Sequence, residues 1–276
     1  VVTKQIEQPS HVVTPHAPES RQRPRENEVD RAIDRIIEKG RPRLYRTWPQ
    51  LLATALVAGV EVALGVLALL TVYQTTGSPL LAGMAFSVAL IALLLGHAEL
   101  FTEGFLVPIV VVAARQATWR RLARFWGGTL AGNLLGGWAL MFVVITAFPG
   151  LHTTAVEMGG KFANAALSPQ NLCLAVLAGS AITLMTRMHN GTDNDMAKLT
   201  ASAVTGFLIV GTGMHHSILD SLLIFGGIHA GADYGYLEWI TWFSWTLLGN
   251  IIGGVGITTA LRLIRGYARI REWRHA

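Results

Sequence analysis

The chain has 276 residues, 51% of them hydrophobic and only 14% charged, with a formal net charge of +5. Soluble domains carry roughly a quarter charged residues, so this composition excludes an ordinary soluble domain and indicates a membrane protein. The positive charge does not indicate nucleic acid, because the arginines sit at the ends of apolar runs, where membrane topology uses them. The single cysteine, Cys173, excludes an intrachain disulfide and a cysteine-built metal site.

Residues 1–26 are rich in Pro, Gln, Ser and charge, and are expected to form a disordered cytoplasmic tail with no cleavable signal. Over 27–40, Val29, Ala32, Ile33, Ile36 and Ile37 recur at helical spacing between charged residues. That pattern predicts an amphipathic cytoplasmic helix lying on the membrane or on its own protein, ended by Gly40, Pro42 and Arg43. A channel unit is expected over 46–266, with apolar spans near 48–74, 79–114, 121–148, 169–188, 197–230 and 237–265, and a basic cytoplasmic tail over 267–276.

A straight span needs about 20 residues. The second and fifth runs are longer, and each carries a polar, glycine-bearing interruption: Gly96-His97-Ala98-Glu99-Leu100-Phe101-Thr102-Glu103 and Gly211-Thr212-Gly213-Met214-His215-His216-Ser217. Such a break reads as two half-helices joined by a loop, a backbone that membrane depth tolerates only where it is buried or lines a cavity. Arginine and lysine crowd alternate loops, so the positive-inside rule places both termini in the cytoplasm after an even number of spans.

The two halves, about 48–148 and 165–265, repeat each other. Gly132-Asn133-Leu134-Leu135-Gly136-Gly137 matches Gly249-Asn250-Ile251-Ile252-Gly253-Gly254 at a separation of 117 residues, and the same shift carries Gly96 onto Gly213. Three duplicated spans make an inverted repeat, with the site at the interface of the halves. The small residues of the Gly-Asn segments are read as helix-packing residues with no direct role in transport.

Glu99-Leu100-Phe101-Thr102 in a broken second span, with His216-Ser217 in a broken fifth, resembles the formate/nitrite transporter family from about residue 48 to 265. The resemblance implies an all-α, aquaporin-like fold of six spans in an inverted repeat, assembled as a homopentamer in the cell inner membrane with a pore in each protomer. It places the central histidine on His216 and the facing loop threonine on Thr102, with Phe101 before it. Apolar constrictions fall on Phe86, Leu90, Ile182 and Ile209, and a mouth lysine on Lys161. In two places the chain departs from the pattern: His215 stands where the formate branch has an acidic or polar residue, and Gly179 where it has a fourth-span asparagine.

The physics of these residues agrees. A charge at the bilayer centre costs at least about 2.5–3.5 kcal/mol, and the histidine pKa near 6.5 lets His216 take or release a proton at physiological pH. An anion protonated there crosses as its neutral acid and escapes most of the desolvation cost. The 117-residue shift pairs Glu99 with His216, so Glu99 is expected to orient that ring or favour its charged form. Its alternative role is to hold the loop through backbone N–H groups. Glu103 and Asp220 read as helix caps, and Glu61 as a lone carboxylate facing a protein neighbour. His215 is a weaker pathway residue, because adjacent side chains on a turn seldom face one pore. The expected partners are a small weak-acid anion, protons and lipid. No cofactor or metal and no enzyme activity are expected. Two alternatives are a pore for neutral solutes and a metalloenzyme using His97, Glu99, His215, His216 and Asp220.

Overall fold

A computed structural model describes residues 22–275, all helix and connecting loop. In chain order the helices are α1 (Gln22–Tyr45), α2 (Trp48–Thr76), α3 (Pro79–Gly96), α4 (Val107–Ala113), α5 (Trp119–Ala147), α6 (His152–Ala163), α7 (Pro169–Gly191), α8 (Asp195–Gly211), α9 (Leu219–His229), α10 (Tyr236–Ile251), α11 (Ala260–Arg265) and α12 (Tyr267–Trp273). Short 3-10 turns occupy Phe101–Phe105 and Pro149–Leu151, and Ile252–Thr259 is a π-helical stretch joining α10 to α11. The starts are set locally. Ser78, Thr118, Ser168 and Asn194 each accept the backbone N–H three residues on, at Leu81, Arg121, Asn171 and Ala197, which satisfies a donor the first turn leaves open.

Among the described residues five helices are long and apolar enough to cross a membrane: Trp48–Thr76, Pro79–Gly96, Trp119–Ala147, Pro169–Gly191 and the continuous Tyr236–Arg265. The fifth apolar run is divided into α8 and α9. The 1–26 tail falls mostly outside the described residues, but helix already begins at Gln22.

Packing shows how the halves relate. Ala55, Leu56 and Gly59 of α2 meet Gly132, Gly136 and Asn133 of α5, so these helices run parallel. Ala175, Val176 and Gly179 of α7 meet Gly249, Gly253 and Asn250 in the same sense. The chain therefore returns between each parallel pair, through the broken segments. Equivalent helices α3 and α8 pack antiparallel: Gly83 faces Phe207 and Gly211, while Ser87 faces Gly206 and donates to the Ala203 carbonyl at 2.7 Å. Antiparallel equivalents meeting at the centre are the mark of an inverted repeat. A Cβ on Gly59 or Gly179 would sit 2.3 or 2.0 Å from the backbone oxygen of Asn133 or Asn250. Position 179 thus admits no side chain, which accounts for glycine where the resemblance leads one to look for asparagine.

The amphipathic helix departs from expectation. It runs past Gly40 and Pro42 to Tyr45. Ile33, Ile36, Ile37 and Leu44 are at most 1% exposed, and Gly40 lies against Val107 and Val111 of α4. Burial of that face outweighs the helix cost of Pro42, which lies in the last turn and forfeits one backbone bond. The basic C-terminal segment is also docked: Arg269 pairs with Asp34 at 2.7 and 2.8 Å, and Trp273 Nε1 donates to Asp34 at 2.8 Å.

Burial pushes the Asp34 carboxyl up, but the hydrogen bonds from Arg269 and Trp273 outweigh it and hold it below the usual carboxylate range. A depressed folded-state pKa adds stability that is complete above about pH 4 and is lost as pH falls through the lowered value. Asp34→Asn is therefore expected to release α12 at neutral pH, seen as hydrogen exchange in α12 at least about tenfold faster with α5 unchanged. Unchanged α12 protection would show that the apolar contacts alone hold it.

Candidate functional site

Both interruptions turn on a left-handed residue. His97 (φ 52°) closes α3 and Gly213 (φ 67°) follows α8. Each break is then pinned by one buried asparagine. Asn133 Oδ1 accepts the Phe101 N–H at 2.8 Å, and its Nδ2 donates to the Glu99 and Ala55 carbonyls at 2.9 and 2.8 Å. Asn250 Oδ1 accepts the Ser217 N–H at 2.9 Å, and its Nδ2 donates to the His215 and Ala175 carbonyls, each at 2.9 Å. The glycines of the Gly-Asn segments do pack helices, as the sequence implies, but the asparagines hold the loops. This role was missed; the available signal was an amide inside an apolar span, which must find partners when buried.

These clamps also correct the repeat register. The asparagines are 117 residues apart, while Phe101 and Ser217 differ by 116, as do His97 and Gly213. Glu99 corresponds to His215, and Leu100 to His216.

Glu99 does not approach His216 as expected. Its carboxylate is held by Arg43 of α1 and by Arg46 in the link that follows it, with Arg43 Nε at 2.8 and 3.0 Å from the two oxygens. With its side chain 2% exposed, Glu99 needs cations to offset its desolvation, and they come from the last turn of α1 and the link after it. Glu99→Gln should therefore unseat α1. Removing one partner of a buried pair costs about 3–5 kcal/mol, and the low end applies because both arginines keep some exposure. Thermal unfolding in detergent and protease cleavage within α1 measure this; wild-type values in both would show that the pair contributes nothing.

The His216 ring is held at both nitrogens. Nδ1 accepts the Leu219 N–H at 3.1 Å and so caps α9, and Nε2 lies 2.9 Å from Thr102 Oγ1. A nitrogen facing a backbone N–H is the unprotonated one, so the neutral ring carries its proton on Nε2 and donates to the threonine oxygen. Asp220 Oδ2 accepts the His216 N–H at 2.7 Å, a loop-closing role close to the expected cap.

Phe86, Leu90, Ile182 and Ile209 line one chamber together with His216, and Val62, Leu100 and Leu219 complete it. Its volume of about 10 Å³ is room for about one water centre. Phe101 stands behind the loop, edge-on to Phe105 at 5.1 Å and Trp126 at 6.3 Å; Leu100 reaches the chamber instead. His215 lines none of the cavities on this path. Its Nδ1 accepts from Trp242 Nε1 at 3.0 Å, and its ring packs 5.2 Å from both Phe162 and Trp245.

A vestibule lies on either side of the chamber. One, about 300 Å³, shares Ile209 and Leu219 with it and holds Lys161, Tyr73 and Asp220. Lys161 donates to Tyr73 at 2.9 Å and pairs with Glu157 at 3.2 Å. Burial pulls its pKa down, but these bonds outweigh it and keep it above the usual lysine value. The other, about 450 Å³, collects Lys39, Arg43, Arg46 and Lys198 against Glu99 and Glu103, with His97 and His189 at its wall. Glu61 faces Gly96, and its Oε2 has no partner among the described residues. The metal alternative loses its donor set, since Glu99, His215 and His216 are each committed elsewhere. Among the described residues no three His, Cys, Asp or Glu side chains converge.

The chain is similar to known proteins over most of its length. It is 27% identical over 242 residues to the formate channel FocA of Escherichia coli K12, covering 74% of this chain and 83% of that one. It is 26% identical over 263 residues to the inner membrane protein YfdC of the same strain, covering 87% and 78%. Among solved structures, an FNT family ion channel superposes with a TM-score of 0.71 at 19% identity, covering 86% of this chain and 98% of that one. A pentameric formate channel with formate bound gives 0.67 at 21% identity, covering 80% and 98%. The formate/nitrite transporter profile matches residues 30–264, and the chain belongs to that family.

Proposed function

We propose that the chain crosses the cell inner membrane six times, with both termini in the cytoplasm, assembles as a pentamer, and passes a small weak-acid anion such as formate or nitrite through each protomer. Family membership and similarity to formate channels support an anion as cargo. The observation that carries the mechanism is the apolar chamber between two lysine-bearing vestibules, with His216, bonded to Thr102 behind it, as the one polar residue on its wall among the described residues.

The vestibule cations concentrate anions at both mouths. The chamber has no room for a hydration shell, and an unpaired ion in an apolar setting carries a desolvation cost far above that of its neutral acid. His216 is the proton donor. The resting ring is neutral, so it takes a second proton at Nδ1, which breaks the bond to the Leu219 N–H. The Nε2 proton then passes to an anion oxygen beside Thr102, and the neutral acid crosses. The ring is then neutral with its one proton on Nδ1; uptake of a proton at Nε2 and release of the one at Nδ1 restore the resting tautomer and the bond from the Leu219 N–H. Lys161, Phe101 and His215 have supporting roles: attraction at the mouth, backing of the Thr102 loop and packing behind the His216 loop.

The engaged Nδ1 also favours a second reading, in which His216 stays neutral and, with Thr102, admits only acid already protonated in the vestibule. Uptake into proteoliposomes of formate, nitrite, acetate and lactate, each with an internal pH dye, tests the proposal. Saturable uptake of at least one anion with proton entry is expected. Swelling with neutral solutes and no anion uptake would overturn it in favour of a neutral-solute pore.

A further inference from the structure

Three arginines that line none of the cavities of the transport path line a single groove between α7, α8 and the π stretch leading into α11: Arg187, Arg262 and Arg265. The groove is about 470 Å³. Arg187 and Arg265 stand at its open end, and no carboxylate lies within ion-pair distance of any of the three among the described residues. Arg262 is 7% exposed. Its Nη2 reaches the Val29 carbonyl only at 3.5 Å, and its Nε has no partner among the described residues. Asp30 is near enough to be felt by Arg262, but does not pair with it. A guanidinium buried beside two others without a counter-anion is costly, so the groove is incomplete as it stands.

The remaining wall is apolar and open. Leu177, Leu184, Leu208 and Leu261 line it while 38–63% exposed. A cationic end joined to an exposed apolar wall has the pattern of an amphiphile with an anionic head. We infer that this groove is a binding site for an anionic phospholipid, its phosphate held by Arg187, Arg262 and Arg265 and its acyl chains laid along the leucines. The inference rests on the reading that the chain spans a membrane with this end at the cytoplasmic leaflet, whose surface is anionic.

Native mass spectrometry of the full chain in detergent tests this without any transport measurement, so its failure and that of the anion-channel reading are distinguishable. The probes are phosphatidylglycerol and phosphatidylcholine with matched acyl chains. Phosphatidylglycerol should bind at least about tenfold more tightly to the wild type. Arg187→Gln with Arg265→Gln, both exposed and outside the path, should remove that preference. Arg271→Gln, on α12, should keep it. The proposal is overturned by a double variant that retains the preference. It is equally overturned by inorganic phosphate displacing the lipid at millimolar concentration, which would make the groove a free-anion site. A double variant that changes the number of copies per complex while its lipid selectivity persists would make the groove an interface.

Discussion

Asn250→Ala should nearly abolish transport and markedly destabilise the protein. The amide satisfies the Ser217 N–H and the His215 and Ala175 carbonyls. Alanine leaves the Ser217 N–H and the His215 carbonyl unpaired, while the Ala175 carbonyl keeps its place in the α7 ladder, and each orphaned buried polar group costs about 1–3 kcal/mol. The loss is therefore on the order of 2–6 kcal/mol, less where water enters. Function suffers further, because the same loop aims His216. A displacement of about 1 Å in a working group can cost on the order of a hundredfold in rate. Asn133→Ala should act alike through the Phe101 N–H and the Glu99 and Ala55 carbonyls, since it aims Thr102. Gly127→Ala is the control on α5, as a Cβ there meets nothing within 4 Å. Anion uptake and detergent melting curves check the series. Either asparagine variant melting and transporting as wild type would remove the clamps from the account.

His216→Asn has the second large effect, on coupling rather than folding. The asparagine oxygen can still accept the Leu219 N–H and cap α9, so the melting temperature should shift by only a few degrees. The titratable ring is gone. Proton movement with the anion and its pH dependence between 5 and 8 should disappear, leaving either no flux or a leak of the charged ion. His215→Asn should lose the Trp242 hydrogen bond, worth about 1 kcal/mol, and keep the pH profile, because His215 faces the aromatic box of Phe162, Trp242 and Trp245. A His216→Asn variant that moves anion and protons as wild type does would make the histidine a loop residue only.

The sequence was most informative where the membrane constrains it most. Apolar length marked the spans, and glycine with polar residues in overlong runs marked both breaks. The four chamber residues Phe86, Leu90, Ile182 and Ile209 and the pairing of Thr102 with His216 came from the family resemblance, and the structure brings them together. What pattern could not supply was tertiary. The partners of Glu99 lie 56 and 53 residues earlier, one in the last turn of a helix that local pattern ends at Gly40 and Pro42 and one just after that helix. The contact of Gly40 with Val107 and Val111, which favours continuing that helix, leaves no local trace. The repeat register slipped by one because glycine was matched to glycine, whereas the structure matches left-handed His97 to left-handed Gly213. The π stretch Ile252–Thr259 shows no periodicity of its own. It coincides with Thr259 Oγ1 donating to the Phe105 carbonyl at 2.7 Å, a tie between the halves that only the fold creates.

The central claim is that the anion passes the chamber as its neutral acid. The most direct test measures formate and proton entry together in proteoliposomes while a potassium gradient with valinomycin sets the membrane potential. One proton should enter per formate, and the rate should not respond to the potential at any pH from 5 to 8. Formate entry that rises with an inside-positive potential, with no proton accompanying it, would contradict the claim and make the chamber a conduit for the charged ion.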